Sequence, residues 1–544
     1  MKKFKKRFAS GVVALTIVGA LAACSSDESV DEDAVEPDTD AGGEETDDDV
    51  EGDTSTATEG GDLRLAMMSD AVDLDPHGSN DTSSSHVRTN IYERLVNHDE
   101  NMDLIPELAE SFEQVDELTW EFVLREDVTF TDGEPFNGEA VKRTLERVID
   151  PDVASPKAFM YEMIENIEVI DDYTVEITTE YPFAPLAANL AHDGGGMISP
   201  KAIEEEENGE RNLILSLVQV RFNRIGIKVR RFYRETKIIG VTYLQLDTAS
   251  YLVVPEQLTR IGQLDTGEVH VAENIEPVNM SQIENMEGAD VSSVESLRLD
   301  YIGFNNESEP FDDVNVRVAV AKAIDKSSIV EAIYEGYGSE AIGPLNPLVF
   351  GYSDGLEPLE YNPEEAQELL DEAGHEDGFD VSVMVREENE LSVQLAEIIQ
   401  DQLSEFNINV TIDQREWSSL LDASANGEHD MVILGWTTVT GDADYGMYSL
   451  YHTEEHGASG NRTFYSNSEV DELLEAARSE VDEDARVELY AEAQQIIINE
   501  APKIFTVHDD FRIGIADNVE GFLQLSNGVF DISGVTITEE EAGY

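Results

Sequence analysis

Two short stretches gather side chains that could do chemistry. In "HTEEH", His452 to His456, the order is H-x-x-E-H, a pattern in which two histidines hold zinc and a glutamate works on a metal-bound water. That chemistry needs a long helix and a third ligand, but this stretch runs straight into "GASGN". The other histidines are scattered, and the single cysteine, Cys24, gives them no partner for a structural zinc. No Ser-His-Asp order, phosphate loop or dinucleotide fingerprint is present. Neither catalysis nor a cofactor is expected. The second stretch, "GWTTVTGDADYGMY", sets Asp442 and Asp444 just beyond the apolar run "DMVILGW". Ligands of α/β proteins tend to sit where such a strand ends. Trp436 and Tyr445 flank the acids and are amphipathic enough to wall a site for varied groups.

These residues need a scaffold, and the surrounding periodicities describe one. "GDLRLAM" and "TWEFVLREDVTF" alternate as strands do, with a turn signal at Asp132-Gly133. "NGEAVKRTLERVI", "NPEEAQELLDEAG", "LSVQLAEIIQDQLSEF" and "SEVDELLEAARSEV" repeat apolar residues at helical spacing. The second opens on Asn362-Pro363 and ends at Gly374, as capped helices do. "LSVQLAEIIQDQLSEF" is followed by "NINVTIDQREW", a helical stretch and "HDMVILGW", a β-α-β rhythm that implies a partly parallel sheet. The body is therefore expected to be α/β, without repeats or a transmembrane segment.

A chain of 544 residues is too long for one core, and 41% hydrophobic content supplies two or three. The 117 acids against 34 Lys and Arg give a net charge of −83, spread along the whole chain. Such a surface repels nucleic acid and anionic membranes and strains the fold at low ionic strength. It reads as an adaptation to salt, which screens charge beyond roughly 3 Å at 1 M.

The N-terminus is an address. "MKKFKKRF" is a positive region and "GVVALTIVGALAA" an apolar one too short to span a bilayer. It resembles a bacterial lipoprotein signal, with Leu21, Ala22, Ala23 and Cys24 as lipobox. That resemblance implies cleavage after residue 23 and a lipid on Cys24, which anchors the protein on the extracytoplasmic face of the cell membrane. Residues 24–61 carry almost no large apolar side chain and are expected to form a disordered tether. "DDDVEGDTSTAT" within it fails as a calcium loop, since Thr58 stands where a bidentate Glu is required.

From residue 62 onward, several long motifs resemble a family. "LDPHGSNDTSSSHVRTNIYERLVNHD", "TWEFVLREDVTFTDGEPFNGEAVKRTLERV", "MISPKAIE", "IGFNNESEPFDDVNVRVAVAKAIDKSSIVEAIYEGYG" and "GNRTFYSN" are similar, in family order, to the extracellular solute-binding proteins of peptide and nickel ABC importers. The resemblance implies a type II periplasmic-binding-protein fold. Lobe 1 is then expected over 62–300, with an extra subdomain over about 99–185, lobe 2 over 301–495, and a return to lobe 1 over 496–544. It implies a short peptide enclosed between the lobes of a monomer and handed to an ABC permease. Nickel chelate, glutathione or oligosaccharide are alternative ligands of the same fold, and an extracellular metallohydrolase is the reading of another class. In the family, the acid at the position of Asp444 pairs with the ligand's α-amino group, with Asp442 as the reserve. Arg386, in "VMVREENELS", lies where some members bind the ligand carboxylate, and a surface salt bridge is the other reading. Asn461 and Arg462, in "GNRTFY", are expected as second contacts.

One stretch departs from the family. Residues 211–240 hold eight Lys or Arg and one acid, Glu235. Here the family usually shows segments like N-P-x-G-T-G-P-F and R-N-x-x-Y-W-G. Read one nucleotide upstream, Leu217 to Phe222 can encode Gly-Thr-Gly-Pro-Phe, and Arg234 to Val241 can encode the second segment. Residues about 213–245 are therefore read as the product of two compensating frameshifts. A strand pair bridging to acidic neighbours and a functional basic surface are the other readings.

Overall fold

The computed structural model describes residues 61–209, 221–223, 226–230 and 246–538, with side chains for all but 221–230. These residues fall in one compact unit, Ser55–Tyr544. The signal, Cys24, the tether up to residue 60 and most of the basic stretch lie outside them.

The alternating "DLRLAM" forms the strand Asp62–Met67, which runs parallel to both Thr248–Val253 and Val271–Ala272. Around it lies a seven-stranded sheet in the order Ala289–Val294, Phe511–Ala516, Val271–Ala272, Asp62–Met67, Thr248–Val253, Gly226–Arg230 and Arg221–Asn223. Leu63, Leu65, Val271, Ile283 and Ile513 are fully or almost fully buried in its core. Inserted after it is a four-stranded antiparallel sheet of Ala109–Gln114, Thr119–Leu124, Thr174–Thr179 and Ile164–Asp171. The helix Gly138–Val148, capped by Asn137, buries Val141 and Leu145 against Phe122, Val175 and Ile177 of this subdomain. The strand pattern expected through Phe130 stops at Leu124, and the turn at Gly133 takes the left-handed φ of +87° that glycine permits.

The second lobe is built on a six-stranded sheet, ordered Ser339–Glu340, Lys503–His508, Arg298–Phe304, Met431–Thr437, Asp380–Arg386 and Asn409–Arg415. Its last three strands contain the expected β-α-β rhythm and extend it by one strand and helix on the N-terminal side. Asp380–Arg386 is parallel to Asn409–Arg415 and to Met431–Thr437, through the helices Glu390–Ser404 and Trp417–Ala425. Separate apolar clusters cover the two faces of this sheet. The helix Pro363–Glu372 starts as its sequence predicts: the Asn362 side chain accepts from the Glu365 amide, and Pro363 fills the first turn.

Two short crossings join the lobes. One lies between Val294 and Arg298, the other between His508 and Phe511. The boundary expected at 301 thus falls inside a strand, and that at 496 inside the helix Glu483–Glu500. Residues 503–508 hydrogen-bond within the second sheet, so the chain re-enters the first sheet at Phe511.

Candidate functional site

Met431–Thr437 is a central strand, buried over its first four residues and opening to intermediate exposure at Gly435, Trp436 and Thr437. The chain leaves the sheet there, turns at Gly441 with φ +70°, and enters the helix Ala443–Tyr451. Asp442 caps that helix by accepting from the Asp444 amide at 2.9 Å. Its carboxylate is also held by both terminal nitrogens of Arg486, at 3.0 and 2.9 Å, in the interior of the second lobe. Asp442 is committed to the fold.

Asp444, in the first turn of the helix, faces a cavity of about 520 Å³. The second lobe contributes Trp436, Asp444, Tyr445, Tyr448 and Arg478, and the first lobe contributes Phe159, Met163, Tyr181 and Phe183. Glu162 and Glu455 complete its charged lining. The volume is in the range that encloses a small organic ligand. Trp436 and Tyr445 lie with ring centroids 5.4 Å apart, and Phe159 from the opposite lobe comes within 6.3 Å of Tyr445. Burial pushes the Tyr445 hydroxyl up to about 12, so it stays protonated at neutral pH.

Arg478, from the helix Ser468–Ser479, was not distinguished by the sequence. Its Nε and Nη2 donate to the two oxygens of Asp444 at 2.8 and 3.1 Å. Its guanidinium lies 3.3 Å from the centroid of Tyr448 and 5.6 Å from that of Phe183. Burial alone would lower its pKa, but the charge and hydrogen bonds of Asp444 outweigh this and raise it. Nothing in "SEVDELLEAARSEV" separates this arginine from an ordinary surface charge at a helix end.

The lobes also touch around the cavity. The Ala184 amide donates to the Arg478 carbonyl at 3.0 Å, and His98 Nε2 donates to the Thr440 carbonyl at 2.9 Å. Burial holds His98 neutral, with its pKa lowered to about 4.

Three expected contacts are not brought to the cavity. Arg386 ends its strand with an exposed side chain that pairs with Glu388 at 3.3 Å and lies over Trp417. Asn461 is fully buried; its amide nitrogen donates to the His452 and Tyr465 carbonyls, and its oxygen accepts from Thr463 and the Tyr465 amide. That leaves it no polar atom for a ligand. Arg462 donates to the Leu421 carbonyl and the Ser424 hydroxyl, and so ties down the end of the helix Trp417–Ala425. His452 caps the end of the helix Ala443–Tyr451 and His456 lies between two short 3-10 turns, so no one helix carries both; they face Glu475 and the Tyr465 carbonyl respectively. Among the described residues, no group of three ligating side chains is placed to hold a metal ion, and no helix is long and apolar enough to cross a membrane.

Two α/β lobes joined by two crossings, with an extra subdomain and an aromatic cavity between them, make the two-lobe type II binding fold. The family model of bacterial extracellular solute-binding proteins, family 5, matches residues 103–458, and the chain belongs to that family. The glutathione-binding protein of Pectobacterium atrosepticum is 30% identical over 88% of this chain and 94% of its own length. The periplasmic binding protein DppA from Helicobacter pylori, solved with the peptide STSA, is 26% identical, with a TM-score of 0.74 over 89% of this chain and 99% of its own. A dipeptide-binding protein from a Pseudoalteromonas species, solved with Met-Leu, is 25% identical, with a TM-score of 0.74 over 88% and 100%.

Proposed function

We propose that this protein captures short peptides between its lobes and delivers them to an ABC importer, held at the membrane by a lipid on Cys24. The observation that carries this reading is Asp444, a buried carboxylate facing an interlobe cavity whose lining includes six aromatic side chains, Phe159, Tyr181, Phe183, Trp436, Tyr445 and Tyr448. A peptide's ammonium group needs such a partner once it leaves water, and aromatic walls accept varied side chains. Trp436 and Tyr445 form the walls. Asp442 supports the site by starting the helix that carries Asp444. Binding stabilises the closed arrangement of the lobes, which is the form a permease recognises.

A second reading is glutathione, favoured by the relative of Pectobacterium atrosepticum. A thermal-shift screen of the mature chain against di- to pentapeptides, glutathione, nickel chelates and oligosaccharides separates the readings. Peptides that raise Tm in a concentration-dependent way support the first. Silence from all peptides together with a response to another class overturns it. Lipid attachment is tested by mass spectrometry of membrane-extracted protein, where Cys24→Ser should release the protein from the membrane.

A further inference from the structure

The carboxylate that faces the cavity is not a lone acid. Asp444 already holds a two-pronged ion pair with Arg478, so an incoming ammonium meets a partly neutralised partner. The guanidinium is fixed in its plane by Tyr448 and Phe183, and Nε and Nη2 are taken by Asp444. Nη1 has no protein hydrogen-bond partner among the described residues, and Arg478 lines the cavity. The cavity wall therefore carries a carboxylate and a guanidinium in direct contact, with one guanidinium nitrogen unclaimed by Asp444.

We propose that Asp444 and Arg478 together bind an α-amino-acid head group, with ammonium and carboxylate on the same carbon, and that Arg478 thereby sets a preference for γ-linked over α-linked peptides. This rests on the peptide-binding reading above. In an α-linked peptide the carbon bearing the ammonium carries a neutral amide carbonyl, which an arginine N–H binds less strongly than a carboxylate. In a γ-glutamyl peptide that carbon keeps both charges. The ammonium then meets Asp444, the carboxylate meets Arg478, and four alternating charges neutralise one another inside the cavity.

Arg478 also stands on the seam between the lobes. Its carbonyl accepts from Ala184, and its guanidinium lies beside Phe183, both of the first lobe. A ligand carboxylate held by Arg478 thus lies against the closing surface.

The test is calorimetry of the mature chain with γ-glutamyl-alanine and α-glutamyl-alanine. The γ isomer is expected to bind about ten-fold more tightly, in keeping with a charge-assisted bond replacing a neutral one. Arg478→Gln should bring the ratio close to one, with α-isomer affinity changed by less than the γ-isomer affinity. Arg478→Lys, which keeps the charge without the planar fork, should fall between. Equal or reversed affinities in the unaltered protein overturn the proposal while leaving peptide binding intact. So does a ratio that survives in Arg478→Gln. If neither isomer nor any other peptide binds, both readings fail together. Should Arg478→Gln not fold, the ratio in the unaltered protein still decides.

Discussion

Asp442 and Asp444 lie two positions apart in one sequence motif, and their surroundings give them different work. Asp442 is locked between a helix terminus and Arg486, while Asp444 faces the cavity. Asp442→Ala should lower stability by about 3–5 kcal/mol, because it strands a buried guanidinium and removes a cap. Denaturant unfolding measures that loss. Asp444→Asn keeps the shape and removes the charge; it should weaken peptide binding by an expected 2 kcal/mol or more, roughly thirty-fold, as read by calorimetry. Similar effects of the two variants on affinity alone would contradict this division. The structure brings Asp444, Trp436 and Tyr445 to the cavity, and the sequence pointed there because they lie at or just beyond the end of an apolar strand, a natural ligand position. Asn461 and Arg462 were misleading, since residue type and family position do not reveal that the Asn461 amide is consumed by its neighbours or that Arg462 is turned to the helix Trp417–Ala425. Arg478 was illegible for the opposite reason: it reaches Asp444, 34 positions earlier, only through the packing of two helices.

At the scale of the element, the strand–turn–helix unit from Met431 to Tyr451 depends on Gly441. Its φ is +70°, and a side-chain carbon there would come within 3.3 Å of both Met102 and His98 of the first lobe. Gly441→Ala should therefore destabilise the fold by roughly 1–2 kcal/mol through its backbone alone. It should also loosen lobe contact, visible as a larger radius in solution scattering of the peptide-bound protein. Most elements were readable from periodicity, as in the helix Glu390–Ser404, which buries Leu395, Ala396, Ile399 and Leu403. Pairing across long separations was not readable: the crossing at His508–Phe511 depends on which sheet accepts residues 503–508. The basic stretch remains a proposal about the gene. Nucleotides encoding residues 214–241 should spell the missing family segments one position upstream, and any other reading of those codons ends the frameshift account.

For the whole molecule, charge governs stability. The net −83 should make Tm rise as salt increases from about 0.1 to 1 M, where screening shortens from about 10 to about 3 Å. Acid acts through buried histidines as well. Burial lowers the pKa of His77, His98 and His192 to about 3, 4 and 3. Between these values and the unfolded value near 6.5, the unfolded chain binds more protons than the folded one. Stability from the neutral rings is complete above pH 6.5 and is lost as pH falls towards the folded values. For His98 the loss from pH 7 to 5 is about 2 kcal/mol by linkage. Urea unfolding at both pH values should show it, and His98→Gln should reduce the difference. On the proposed function, Asp444 binds a free peptide ammonium between the lobes. Calorimetry of the mature chain with a tight-binding peptide and its N-acetylated form tests it. Acetylation should weaken binding at least ten-fold in the unaltered protein and much less in Asp444→Asn, whereas equal binding of the two forms would contradict the account.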